Sequence, residues 1–278
     1  MKNARNLLVY KANEVVEASY KLSLNEQRVI LACIAQVNSA EMLLVTDRFE
    51  LSAQDFSKLF SVTNKTAYEA LREVTESLFN RYVAIKDPFS EKVTNQYLKT
   101  RWISSILYAP DEGKITLRFA QDMLPYLSGL KRAFTKYKLE HVGKMTSIYA
   151  IRLYELLAQW QNTGSREVEL DWLKTQFEIS DQYTDVSDFK KRVLEPAVKD
   201  INEHSNLKVS WTQRKTGRRV THLTFSFEEK DKPPPKPREK RVLGVTLSEI
   251  EKLAKVGESY EQAAARIKAE KMKLAKKS

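Results

Sequence analysis

The sequence predicts an α+β protein with two tandem units, each a helix-turn-helix followed by β-strands, and a basic C-terminal tail. Three observations support this. One order of helices, extended segments and strands occurs twice between residues 24 and 227. The second unit closes with a hairpin whose tip carries four cations. From residue 229 onwards the composition shifts towards proline and lysine.

The composition suits a globular protein with a polyanionic partner. The chain has 278 residues, long enough for two ordinary domains, and 42% of them are hydrophobic. Its net charge of +11 favours a nucleic-acid partner, although lysine-rich surfaces also serve solubility alone. Residues 229–278 hold 14 basic and 8 acidic residues, a net +6 that leaves +5 for the rest of the chain. Charge alone therefore overstates how basic the folded body is.

Cysteine usage and hydropathy predict a cytoplasmic protein. The single cysteine, Cys33, lies in an apolar run, so no intramolecular disulfide can form and a buried thiol is expected. The N-terminus lacks the apolar run of a signal peptide, and no stretch reaches the length that spans a bilayer. We therefore expect no membrane partner.

The first unit is predicted as a domain over residues 1–125. Its elements are a helix at Leu24–Val37, an extended segment at Leu43–Leu51, helices at Ala53–Phe60 and Lys65–Phe79, and strands at Arg81–Lys86, Leu98–Tyr108 and Lys114–Phe119. Ser52 can cap the second helix because Asp55 follows three residues later. Tyr68 is expected on the apolar stripe of the third helix.

The second unit, predicted as a domain over residues 126–228, repeats this order. Its elements are helices at Thr146–Gln161, Asp171–Phe177 and Ser187–Asn202, an extended piece at Val168–Leu170, and hairpin strands at Leu207–Trp211 and Val220–Phe227. Leu51 and Leu170 lie 119 residues apart, and Tyr68 and Phe189 lie 121 apart. These offsets indicate a tandem duplication.

The helix beginning near Ser187 has a basic first turn. Four apolar residues share one face: Phe189, Val193, Ala197 and Ile201. Three cations fall between them: Lys190, Lys191 and Arg192. A solvated cationic face is one interpretation. The other is DNA contact, which would offset the roughly 0.3–1 kcal/mol by which the helix dipole disfavours each cation there. Pro196 should kink or restart the helix.

The hairpin tip repeats the basic pattern. Arg214, Lys215, Arg218 and Arg219 surround Gly217, and no acidic residue occurs between Leu207 and Phe227. A charged turn that blunts a sheet edge is one interpretation. The other is a winged helix, in which the helix enters the major groove and the hairpin contacts the neighbouring backbone. Four cations without an anion favour DNA.

The equivalent helix of the first unit is nearly neutral. Asn64, Lys65 and Arg72 are accompanied by Glu69, Glu73 and Glu76. We expect weaker or less specific DNA contact through Asn64 and Lys65, or a surface used for protein pairing.

The sequence offers little for catalysis. It contains no P-loop motif, and His141, His204 and His222 are isolated, with no pair to hold a metal ion. We expect no metal site, no cofactor and no enzymatic activity, although scattered carboxylates leave a nuclease as an alternative.

The tail after residue 228 is predicted to be a linker and two helices. Residues 230–241 are charged and proline-rich and should form an extended linker. The segments Thr246–Lys255 and Ser259–Lys268 have helical patterns. Together they would form a solvated basic appendage or a nonspecific DNA tether over residues 229–278.

Three segments resemble the iteron-binding replication initiators of bacterial plasmids. They are the helix Asp188–Asn202, the preceding Ser147–Leu157, which reads SIYAIRLYELL, and the closing Gly217–Phe227, which reads GRRVTHLTFSF. The opening residues Leu8–Ala18, LVYKANEVVEA, and Leu22–Arg28, LSLNEQR, are also similar to that family. The resemblance covers about residues 7–227 and is weaker between residues 43 and 115.

The resemblance implies two winged-helix domains with different roles. The C-terminal domain would read directly repeated iterons through Asp188, Lys190, Lys191 and Arg192, and the N-terminal domain would mediate dimerisation. Monomers would open the origin and recruit the host initiator, helicase and chaperones. Dimers would bind an inverted repeat in the operator and repress the initiator's own gene. Because lysine replaces arginine at two of these positions, the sequence recognised should differ. The alternative is a tandem winged-helix transcription regulator without a role in replication.

Overall fold

The computed structural model describes residues 7–86, 96–230, 241–255 and 257–275. The chain divides into two compact units, residues 1–230 and 231–278. Most of the predicted proline-rich linker, residues 231–240, lies outside the described residues. Across the described ranges, no helix has both the length and the apolar character needed to cross a bilayer.

The larger unit contains the predicted elements in the predicted order. Up to residue 127 they are β1 (Leu8–Ala12), α1 (Asn13–Val16), β2 (Ser19–Tyr20), α2 (Leu24–Ile34), β3 (Phe49–Ser52), α3 (Ala53–Phe60), α4 (Asn64–Ser77), β4 (Tyr82–Lys86), β5 (Tyr97–Arg101), β6 (Ile103–Ala109), β7 (Lys114–Phe119) and α5 (Leu124–Leu127). After it come β8 (Phe134–Lys138), α6 (Glu140–Gly143), α7 (Ile148–Ala158), β9 (Ser165–Glu169), α8 (Leu170–Gln176), α9 (Val186–Phe189), a π-helical turn at Lys190–Leu194, α10 (Glu195–His204), β10 (Leu207–Thr216) and β11 (Arg219–Glu229).

The winged-helix plan occurs twice with one strand order. In the first copy β7 lies between β3 and β6, and in the second β11 lies between β9 and β10. The register also corresponds, because Glu50 of β3 faces Thr116 and Glu167 of β9 faces Thr224. The predicted α+β fold with two tandem winged helices is therefore confirmed.

Side-chain caps explain where the helices of the first copy begin. Ser23 and Glu26 form a reciprocal capping box at the start of α2. The Ser52 hydroxyl accepts from the Asp55 amide at 3.0 Å, as the sequence predicts. These caps satisfy amides that have no partner within their own helix.

Two further sheets lie outside the repeat. One pairs β1 with β8, and the other contains β2, β4 and β5. The strand predicted over Leu98–Tyr108 is in fact two strands that join different sheets, β5 with β4 and β6 with β7. The chain changes sheet at Trp102, which is fully buried. β1 pairs with β8, so a strand from before residue 125 and one from after it share a sheet. The division of the two domains at residue 125 stays a prediction.

A buried ion pair joins the first strand to α7. The Lys11 ammonium lies 2.6 Å from the Glu155 carboxylate, and neither side chain is exposed to solvent. The Tyr137 hydroxyl also donates to Glu155, and burial beside that carboxylate raises the pKa of Tyr137 well above its usual value. Trp102 packs near the ammonium, 6.0 Å from it to the ring centre. The predicted buried thiol is also observed, since Cys33 is fully buried and burial raises its pKa.

Two aromatic residues lie outside the core to which the helical pattern assigns them. Tyr68 is 44% exposed because the buried stripe of α4 runs through Ala67, Ala70, Leu71 and Val74 instead. The apolar spacing of the helix predicted over Thr146–Gln161 also places Trp160 on its buried face, but Trp160 is 43% exposed because α7 ends at Ala158.

The smaller unit folds around a core of its own. Its elements are β12 (Arg241–Val242), β13 (Val245–Thr246), α11 (Leu247–Leu253) and α12 (Tyr260–Ala275). Five apolar side chains are buried together: Val245, Ile250, Ala263, Ala264 and Ile267. The Arg266 guanidinium binds Glu258 at 2.8 Å and lowers the pKa of that carboxyl to about 2. The two predicted helices are confirmed, and they share a small apolar core. The choice between a solvated basic appendage and a DNA tether stays a prediction.

Replacing Lys11 with methionine should destabilise the larger unit strongly. The substitution keeps the bulk of the side chain but leaves the Glu155 carboxylate buried without a cation. Breaking a buried pair in this way costs roughly 3–5 kcal/mol of unfolding free energy. Urea unfolding followed by tryptophan fluorescence measures the loss.

Lys138→Met is the matched control. Lys138 pairs with Glu140 at 3.1 Å, but both side chains are nearly half exposed, so the loss should stay below about 1 kcal/mol. Equal losses in the two variants would show that burial of the Lys11 pair contributes nothing.

Candidate DNA-binding surface

The basic helix packs on the face that the sequence predicts. Asp185 caps α9 by accepting from the Ser187 amide at 2.7 Å. All four stripe residues are buried: Phe189, Val193, Ala197 and Ile201. Lys191 and Arg192 are exposed and Lys190 is half-buried. Because the stripe fixes the rotation of the helix, its second turn presents these cations to solvent. The predicted basic first turn is wrong, because the helix begins at Val186 and its first turn carries Asp188 instead.

A π-helical turn interrupts this helix before Pro196. Proline has no amide hydrogen, and its ring crowds the carbonyl four residues earlier, here that of Arg192. The wider turn at Lys190–Leu194 precedes it, and α10 restarts at Glu195. The predicted restart is confirmed. The turn coincides with the predicted base-reading residues, and π-turns are frequent at functional sites.

Phe189 anchors the start of the helix. Its ring meets the Tyr183 ring edge-on, with centres 6.2 Å apart. The Lys174 ammonium lies 5.6 Å from the centre of the Phe189 ring and donates to the Tyr183 carbonyl at 2.6 Å. The loop between α8 and α9 is thereby held against the helix that carries Lys190, Lys191 and Arg192.

Hydrogen bonds link the wing to the same helix. The Asn202 side chain accepts from the Val209 amide at 2.6 Å and donates to the Val209 carbonyl at 2.8 Å. Near the helix start, the Lys190 ammonium donates to Gln213 at 3.3 Å. These contacts place the helix turn that contains Lys190 beside β10.

The four wing cations divide into two pairs. Arg214 binds Glu167 and Arg219 binds Asp171, at 2.8 and 2.7 Å. Lys215 and Arg218 have no carboxylate partner among the described residues, and they flank Gly217, which turns the chain with φ +62°. The hydrogen bond from Arg214 lowers the pKa of Glu167, so this carboxylate stays ionised at neutral pH.

A third carboxylate lies in the helix itself. Asp188 approaches Arg192 to 3.7 Å, and both side chains are more than half exposed. This pair is weak, so Arg192 can leave it at little cost.

The corresponding surface of the first copy is not basic. Asn64 and Lys65 are exposed at the start of α4, as predicted. The tip between β6 and β7, however, carries Asp111 and Glu112, and Lys114 is bound by Glu112 at 2.8 Å. This agrees with the near-neutral balance expected from the sequence.

Over the described ranges, no group of three or more His, Cys, Asp and Glu side chains is arranged to hold a metal ion. His141 instead shares a hydrogen bond with the Tyr154 hydroxyl at 2.9 Å, and burial lowers its pKa. His204 lies 3.6 Å from Asp200 within α10.

Sequence reasoning missed the two carboxylates that bind wing arginines. Glu167 and Asp171 are 40 or more residues before their partners, so the run without acids between 207 and 227 gave no sign of them. The pairing of the strands would have revealed Glu167, because β9 lies beside β11 and brings Glu167 opposite Thr224.

Two family models match most of the larger unit. They are Initiator Replication protein, WH1, over residues 8–158, and Initiator Rep protein, WH2, over residues 169–227. The first model includes α7, which the sequence-based division at residue 125 assigns to the second domain.

The chain is similar to known initiators along most of its length. A replication initiation protein of Escherichia coli is 29% identical over 229 residues, covering 80% of this chain and 70% of its own. The PI protein of Escherichia coli is 27% identical over 245 residues, covering 77% and 80%. A crystal structure of the Pi initiator protein in complex with iteron DNA matches with a TM-score of 0.71 at 25% identity, covering 83% of this chain and all of that one. The chain therefore belongs to the family of replication initiator proteins built from WH1 and WH2 domains.

Proposed function

We propose that this protein initiates plasmid replication by binding directly repeated origin DNA through its second winged helix. The observation that carries the proposal is the surface shared by the helix start and the wing. There, Lys190 contacts Gln213 of the wing, while Lys191, Lys215 and Arg218 face solvent without a carboxylate partner in the described part of the chain. Cations on a helix and a hairpin suit base readout and backbone contact respectively. The likeness to the iteron-bound Pi protein supports this assignment.

The two copies would divide the work. The near-neutral first copy, with Asn64 and Lys65 at the start of α4, would support homodimerisation and auxiliary DNA contact within residues 1–125. The second copy, within residues 126–228, would bind iterons. Monomers would open the origin and recruit the host initiator, helicase and chaperones, and dimers would repress the initiator's gene at an inverted repeat. The protein would perform no catalysis and would need no cofactor.

A replication assay separates this function from simple gene regulation. DNA flanking the gene, cloned without the gene, should replicate as a plasmid only in cells that supply the protein. Repression of the gene's promoter without plasmid maintenance would instead identify a transcription regulator.

Replacing Lys191 or Arg192 with alanine should relax discrimination among repeat sequences. Each residue would contact base edges, and losing one such contact costs about 1–3 kcal/mol. Competition binding between the repeat and single-base variants measures the change. Lys199→Ala is the control, because Lys199 is an exposed lysine of α10, after the turn that carries Lys191 and Arg192. Unchanged discrimination in both test variants would contradict the assignment of the reading helix.

Lys215→Ala should weaken binding to every DNA sequence alike. The wing cation would contact phosphate, so its loss removes one released counterion and reduces the slope of log affinity against log salt by about one. Equilibrium titrations at several salt concentrations give the slope. A change confined to the cognate repeat would show that Lys215 reads sequence rather than backbone.

A further inference from the structure

Carboxylates from two neighbouring elements hold half of the wing's cations. Glu167 lies on β9 and accepts from both Nη2 and Nε of Arg214, at 2.8 and 3.3 Å. The Thr224 hydroxyl donates to the same carboxylate at 3.2 Å. Asp171, in the first turn of α8, accepts from Arg219 at 2.7 Å. Both arginine side chains are thus bound to carboxylates of the same chain.

A related contact occurs in the first copy, although its cation lies on the central strand β7 and not on the outer strand that corresponds to β10. Glu50 occupies the position of β3 that Glu167 occupies in β9, opposite a threonine in both cases. Glu50 lies 3.5 Å from Lys114, the first residue after the tip of that wing. A carboxylate beside a wing cation is therefore a feature of both copies.

These ion pairs do little for folding. The side chains of Arg214 and Glu167 are 50% and 44% exposed, and those of Arg219 and Asp171 are 72% and 59% exposed. Exposed pairs contribute little to stability because water and salt screen them. Because Arg214 and Arg219 lie on the hairpin predicted to face DNA, the ion pairs should affect DNA binding instead.

We propose that Glu167 and Asp171 are specificity-determining residues, which act by holding Arg214 and Arg219 away from DNA of unrelated sequence. The inference rests on the proposed function of the wing. Unrelated DNA then meets only Lys215 and Arg218 of the four wing cations.

The physical basis is an exchange of partners. Nonspecific affinity rises with the number of phosphates that cations neutralise. An arginine bound to a carboxylate must leave it before it can bind phosphate, and the carboxylate left behind faces the DNA. Base contacts that hold the wing in register can offset this cost, whereas unrelated DNA provides none. The carboxylates therefore penalise nonspecific complexes more than specific ones.

The test compares Glu167→Gln and Asp171→Asn with the parent protein. Affinity for a repeat-bearing duplex and for a shuffled duplex is measured over a series of salt concentrations. Each variant should bind the shuffled duplex on the order of 3- to 10-fold more tightly, with the log–log salt slope steeper by up to about one. Affinity for the repeat should rise less, so the specificity ratio falls.

Glu228→Gln is the matched control. Glu228 approaches Lys208 to 3.8 Å at the other end of the same hairpin, so the variant makes the same change in charge away from the tip. Its affinity for the shuffled duplex should change less than about twofold, because exposed charges beyond a Debye length are screened. Adding Arg214→Gln to Glu167→Gln should return that affinity to the parental value, since the released arginine is the cause of the gain.

Two results would overturn the proposal. One is an unchanged or lower affinity for the shuffled duplex in both Glu167→Gln and Asp171→Asn. The other is a gain no larger than that of Glu228→Gln. If the parent protein prefers the repeat in either case, the proposed function stands without this role for the carboxylates. A parent protein that shows no preference for the repeat contradicts both.

Discussion

The burial of one helical stripe is the constraint on which the DNA-binding surface depends. Phe189, Val193, Ala197 and Ile201 are almost inaccessible to solvent, so the helix cannot rotate without exposing them. Burying side chains of this kind is worth about 1.5–3 kcal/mol for each large one. The direction of Lys190, Lys191 and Arg192 follows from this packing, because they occupy the positions between the buried residues.

The rest of the second copy is built on that helix. Asp200 accepts from the amides of Thr146 and Ser147, both at 2.9 Å, and so holds the start of α7. Asn202, two residues after Asp200, hydrogen-bonds with the backbone of Val209 in β10. One helix therefore fixes both its neighbour in the core and the wing, and the first copy shares the strand order but carries an acidic tip instead. Two copies of one scaffold can thus serve different purposes through their surface charge.

Local patterns predicted the elements well, and long-range contacts account for what they missed. The stripe through Phe189 and the restart near Pro196 follow from helical spacing and from the missing amide of proline. The exposure of Tyr68 depends on Ala67 filling the core in its place, which spacing alone does not distinguish. The division of the strand at Trp102 depends on which sheet each half joins. Glu167 was missed because sheet pairing, not sequence proximity, brings it to Arg214.

Equilibrium titration with DNA flanking the protein's own gene tests the central claim most directly. The account predicts saturable binding to a duplex carrying the direct repeats, at least about 10³-fold tighter than to a shuffled duplex of equal length at physiological salt. Equal affinity for the two duplexes would contradict it, because the helix starting at Val186 would then contribute charge but no sequence recognition.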